Sequence, residues 1–143
     1  MKILKVSAAL IIAVSLFSGA AYAKTLNFES SLSGNKEVPH ITTTAKGQLK
    51  ASYNTISKVL KWHVSYSGLS GAASMAHFHG PATTKQNADV IIAIENKDLK
   101  SPIEGSEKLT KAQEKQLLSG HWYFNIHTEK HPGGEIRTQL IAK

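Results

Sequence analysis

Four of the seven histidines stand in two short segments, Ala76-His77-Phe78-His79-Gly80 and Asn125-Ile126-His127-Thr128-Glu129-Lys130-His131-Pro132-Gly133-Gly134. In an extended chain, residues two apart point to the same side, so His77 and His79 form one prong of a pincer. His127 ends a strand-like run and His131 lies four residues on, which makes the second pair straddle a turn. Neutral imidazole is the commonest protein ligand for the late first-row metals. Two such pairs brought together by a β fold predict one mononuclear metal site built from His77, His79, His127 and His131. Met75 falls on the same side as His77 and His79. It reads as an ordinary core filler, with the alternative of a soft thioether ligand that favours monovalent copper.

An all-imidazole set suits copper, zinc, iron or nickel, whereas magnesium and calcium prefer oxygen. The chain has no cysteine, so thiolate sites, iron–sulfur clusters and cysteine nucleophiles are excluded. Structural zinc usually uses cysteine. Copper heads the affinity order for such a set and is the expected ion, with iron or zinc as alternatives. No Gly-x-Ser-x-Gly elbow supports a serine hydrolase, and nothing selects a pair of carboxylates for glycoside chemistry. His40, His63 and His121 stand outside the two segments and read as surface residues. Glu135 and Arg137 should share the side of the last strand on which His127 lies. There Glu135 either orients a ligating histidine, as outer groups do around metals, or makes a weak surface contact with Arg137.

The start of the chain addresses the compartment. Lys2 and Lys5 precede an apolar run from Val6 to Phe17, and Ala21-Tyr22-Ala23 matches a small-x-small cleavage site. This is the pattern of a secretory signal peptide, residues 1–23, cut after Ala23, which predicts a secreted or periplasmic protein. The apolar run is too short for a stable membrane anchor, and no second run approaches spanning length. The remaining residues, 24–143, suit one domain with one core. The formal charge is +7, but Arg137 is the only arginine and the lysines are scattered among acids and small polar residues. Nucleic-acid readers carry basic stripes and bidentate arginines, so a nucleic-acid partner is not expected.

The elements that must position the histidines are mostly strands. Period-two alternation predicts strands over Thr25–Leu32, Lys46–Tyr53, Ile56–Tyr66, Ser74–His79, Asp89–Glu95, Glu104–Lys108, His121–His127 and Glu135–Ile141. In His121–His127, Trp122, Phe124 and Ile126 form an apolar face and His121, Tyr123, Asn125 and His127 a polar one, so His127 is expected to point away from the packed side. One short helix, Lys111–Leu118, is signalled by Thr110 and Gln113 in capping-box spacing and by Gly120 as a stop. The expected fold class is all-β: an antiparallel Greek-key sandwich or barrel with that one helix.

Three blocks of the chain resemble a known family. Leu32-Ser33-Gly34-Asn35-Lys36-Glu37-Val38-Pro39 is similar to the opening of the CHRD domain, named after chordin. Tyr66-Ser67-Gly68-Leu69-Ser70 with Ala76-His77-Phe78-His79-Gly80-Pro81-Ala82 resembles its middle block. Asn125-Ile126-His127-Thr128 with His131-Pro132-Gly133-Gly134-Glu135-Ile136-Arg137 resembles its closing block. The resemblance runs from about Leu32 to Leu140 and implies a bacterial, exported, single-domain member with a sandwich related to Cu/Zn superoxide dismutase. The copper site of that enzyme also uses an H-x-H pair, which falls on His77 and His79. Its disulfide and its His-rich zinc loop have no counterpart here, so its activity is not carried over. The expected function is periplasmic metal handling or tolerance through the four histidines. A redox enzyme using the same site and a metal-free interaction module are the alternatives.

Overall fold

The computed structural model describes residues 23–143; the signal-peptide reading falls almost wholly on residues 1–22, outside the described part. Eight strands form one antiparallel sheet: β1 Thr25–Ser33, β2 Lys46–Asn54, β3 Val59–Ser67, β4 Ala73–His79, β5 Val90–Ala93, β6 Ile103–Lys108, β7 Trp122–Thr128 and β8 Ile136–Leu140. Their spatial order is β5-β4-β7-β8-β1-β2-β3-β6. The sheet curls over itself between β8 and β1, which share a single paired position, Ser33 with Arg137. Trp62 of β3 and Phe78 of β4, from opposite halves of that order, therefore meet ring to ring at 5.0 Å. This is the all-β antiparallel sandwich expected from the alternation.

The core lies between the two halves. Leu49, Tyr53, Leu60, Val64, Phe78, Trp122, Phe124, Ile126, Ile136 and Leu140 are all buried there, each at an alternate position of its strand as a pleated sheet requires. The helix α1, Lys111–Leu118, forms as the capping box predicts. The Thr110 hydroxyl accepts from the Gln113 N–H at 3.2 Å, and the Gln113 side chain accepts from the Thr110 N–H at 2.8 Å. Leu117 inserts into the core, and Gln116 accepts from the Trp122 indole at 3.2 Å, tying the helix to β7. Among the described residues no helix is long and apolar enough to cross a membrane.

Three differences from the alternation have local causes. β3 begins at Val59 rather than Ile56, because the Asn54 side chain accepts from the N–H groups of Ile56 and Ser57 at 3.0 and 2.8 Å and holds a turn there. β5 is shorter than Asp89–Glu95. The expected polar face of β7 is not solvated: Tyr123, Asn125 and His127 are as buried as their apolar neighbours. The connection from Gly80 to Asp89 covers that face. Arg137 donates to the carbonyls of Thr83 and Gln86 at 3.1 and 2.8 Å and to the Asn87 side chain at 3.0 Å. Gln139 donates to the Ala82 carbonyl at 2.7 Å.

Candidate metal site

Strand register decides which histidines meet. β4 pairs with β7 so that His77 lies opposite Asn125, His79 opposite Tyr123 and Met75 opposite His127. Residues opposite each other share a face, and Ala76 and Phe78 take the core side of β4. His77, His79 and His127 are therefore driven together on the covered outer face. One nitrogen from each ring falls within 4.8 Å of the others, and His77 Nδ1 lies 3.2 Å from His127 Nε2.

In His127 and His79 one ring nitrogen is held by a backbone carbonyl. His127 Nδ1 donates to the Pro132 carbonyl at 2.9 Å, which fixes its tautomer and leaves the Nε2 lone pair aimed at His77. The turn after β7 makes this contact: the His131 carbonyl accepts from Gly134 at 3.0 Å and swings Pro132 back under the strand. The ring of His131 is not one of the three brought together. What the His131-Pro132-Gly133-Gly134 segment contributes is main chain that orients His127.

His79 is nearly fully buried and contacts an oxygen at each nitrogen: the Ala88 carbonyl on Nδ1 and Asn125 Oδ1 on Nε2, both at 3.0 Å. A neutral imidazole has only one N–H, so one of these contacts sets lone pair against lone pair. Turning the Asn125 amide, or lending Nε2 to a metal, relieves it. The ring stacks on Tyr123 at 4.6 Å and 8°. Arg137, reaching from β8 on the far side of β7, lies over the same tyrosine with its guanidinium carbon 3.4 Å from the ring centre.

Burial, joined by the neighbouring rings of His127 and His79, pushes His77 down to about 4. Burial also lowers His79 and His127 below the usual histidine range. All three are neutral near pH 7, which is the ligating form. The His77–His127 spacing suits a shared ion, and the third nitrogen lies within 4.8 Å of that pair. Tetrahedral coordination with metal–nitrogen bonds of about 2.0–2.1 Å separates two ligand nitrogens by about 3.3 Å, close to the observed 3.2 Å. On a tetrahedral ion, three protein ligands would leave a fourth position open.

The other expectations resolve differently. Glu135 touches no histidine and makes no surface contact with Arg137. It is fully buried and accepts from the Thr43 hydroxyl at 2.7 Å, from the Ser70 hydroxyl and N–H at 2.7 and 3.0 Å, and from the Thr128 hydroxyl at 2.8 Å. Burial alone would raise its carboxyl, but these donors together hold it below the usual range. Met75 is not core packing: it is 39% exposed. His40 and His121 are exposed, and His63 makes a surface contact with Glu104 at 2.7 Å. Sequence reasoning missed the parts played by Asn125, Tyr123 and Glu37. The carboxyl of Glu37 is buried beside Asn125 and pushed up to about 7 by that burial. A side chain at residue 134 would collide with Glu37 Oε1 and Asn125 Nδ2, and its φ is +122°, so only glycine fits.

No curated protein and no solved structure matches the chain. The family profile of the CHRD domain matches residues 28–140, which contain all three clustered histidines and the turn that orients His127. The chain belongs to the CHRD domain family.

Proposed function

We propose that this protein binds one transition-metal ion, copper first among the candidates, through His77, His79 and His127, and that it handles or detoxifies that ion outside the cytoplasm. The observation that carries the reading is the convergence of three neutral imidazole nitrogens within 4.8 Å on a covered face. Buried polar groups are normally satisfied by the protein around them. Here the His77–His127 contact is a single hydrogen bond between neutral rings. Three such rings in one place offer an ion a ready set of lone pairs once that bond gives way. The set contains no carboxylate or thiolate, so it suits copper better than calcium, magnesium or structural zinc. Export rests on the signal-like first 23 residues, and a relation to the superoxide dismutase fold rests on the H-x-H likeness. His131 is left out of the ligand set.

A second reading follows from the open fourth position. A bound copper ion there would supply one-electron chemistry, and an exchangeable position is what turnover of superoxide or another small oxidant needs. In either reading the protein's residues do the same work: Pro132 and Ala88 hold the rings by their carbonyls, and the loop from Gly80 to Asp89 keeps water off His79. The test is metal analysis and titration of the protein recovered from the exported fraction. One equivalent of bound copper, on a chain that begins at Lys24, supports the reading. Absence of any stoichiometric metal overturns it. Turnover assays on the loaded protein then separate a carrier from an enzyme.

A further inference from the structure

We propose that Met75 is the fourth ligand of the site, taken up when the bound ion is monovalent copper. The inference rests on the copper reading above and makes it more specific. Met75 lies directly across the β4–β7 ladder from His127. It precedes His77 by two residues on the same strand, and so falls on the same face as His77, His79 and His127. Side chains opposite each other in such a ladder start about 4.5–5.5 Å apart at Cβ, and the three rotatable bonds of methionine let its sulfur span that distance.

Exposure separates a ligand from a packing residue. Every neighbouring apolar residue on the inner face of β4 and β7 is sealed, with Ala76, Phe78, Phe124 and Ile126 at 0%. Met75 is 39% exposed and fills no gap in the core. An exposed methionine across the ladder from His127 is free to turn its thioether toward the cluster.

The chemistry of the donor set points the same way. Three neutral imidazoles and a neutral thioether carry no charge, which suits a singly charged ion, and the soft sulfur favours monovalent copper over zinc or divalent copper. Divalent copper would take water in the same position, leaving the thioether unbound.

The experiment compares the full chain with Met75→Leu and His77→Ala. Monovalent copper is titrated against a chromophoric chelator under reducing, anaerobic conditions, and divalent copper against a separate competitor. Met75→Leu, at an exposed position and of nearly equal volume, is expected to leave thermal unfolding unchanged. It is also expected to weaken monovalent copper by at least about tenfold, with divalent copper altered less than about twofold. His77→Ala is expected to lose both ions. X-ray absorption of the reduced copper form is expected to show a sulfur scatterer that disappears in Met75→Leu. Unchanged monovalent copper affinity in Met75→Leu, while His77→Ala loses it, overturns the role of Met75 and leaves the histidine site standing. Failure of the unaltered chain to bind either ion overturns both.

Discussion

Two buried polar clusters meet at the end of β7, at the neighbours Thr128 and His127, and behave in different ways. Beside the end of β7, Glu135 is sealed from solvent and receives hydrogen bonds from Thr43, Ser70 and Thr128, so that its charge is fully answered by the protein. On the face shared by β4 and β7, three histidines converge with one hydrogen bond between His77 and His127, and His79 meets oxygen at both nitrogens. Satisfied buried networks fix a fold, whereas partly satisfied ones mark something missing. Glu135 joins the loops around Thr43 and Ser70 to the end of β7 and is structural. The histidine cluster keeps one unanswered contact, at His79, which an added electrophile would relieve.

The sharpest break of this comparison is at the ligands. His77→Ala or His127→Ala is expected to cut metal affinity by more than about 100-fold, measured by competition titration. His127→Ala is also expected to cost the metal-free protein about 1–3 kcal/mol by leaving the Pro132 carbonyl without its donor. His40→Ala and His63→Ala are expected to change nothing. His131→Ala decides between a three- and a four-histidine site: because its ring stands outside the cluster, the expected loss is small. A loss equal to that of His127→Ala would restore the four-histidine set.

Glu135 should give the mirror image. Glu135→Ala leaves Thr43, Ser70 and Thr128 without their acceptor, and charged hydrogen bonds of this kind are worth about 1.5–3 kcal/mol. A loss of about 3 kcal/mol in denaturant unfolding is expected, with unchanged metal affinity in the folded fraction. If metal affinity fell while stability held, Glu135 would belong to the site after all.

The different legibility of the two clusters has a physical basis. Alternation and the Thr110–Gln113 cap locate nearly every strand and the helix, because those signals are local. The H-x-H spacing likewise announces His77 and His79, since two residues on one strand share a face whatever the rest of the chain does. Which residue of β7 comes opposite is a matter of register, set by long-range pairing and by the turn at 131–134, so the choice between His127 and His131 was not readable. The burial of the polar face of β7 depends on a loop held by Arg137 and Gln139, 50 to 57 residues away in the chain. That covering also explains why Glu135 and Arg137, which read as neighbours by alternation, end in separate networks.

Acidity probes the same contrast. All three clustered histidines have lowered folded values, that of His77 about 4, against an ordinary value of about 6.5. A base whose folded value is depressed contributes stability above its unfolded value and loses it as pH falls. The metal-free protein is therefore expected to weaken progressively between about pH 6.5 and pH 4. Saturating metal should shift that loss to lower pH, because a ligated ring binds no proton. Equal acid sensitivity in the metal-free and His77→Ala proteins would show that the cluster is not its source.

The smallest expected effect is at Glu37, which works against the histidines. Burial raises its carboxyl to about 7, outweighing the nearby Arg137 charge and the hydrogen bonds from Asn125 and the Val38 N–H, and Oε1 has no hydrogen-bond partner. A carboxyl whose folded value is raised stabilises the fold below its unfolded value, near 4.5, and this contribution is lost as pH rises toward 7. Between those limits Glu37 gains protons on folding while the histidines resist them, so the two slopes partly cancel. Glu37→Gln keeps the shape and removes the ionisation. Above pH 7 the variant is expected to be more stable by about 1 kcal/mol, a discounted fraction of what a shift of this size allows. Below pH 7 its stability should fall more steeply with acid than that of the unaltered protein, because the opposing slope is gone. Parallel stability–pH curves for the two proteins would mean that the Glu37 carboxyl is ionised throughout, with the Arg137 charge and the Asn125 amide sufficient to hold it so.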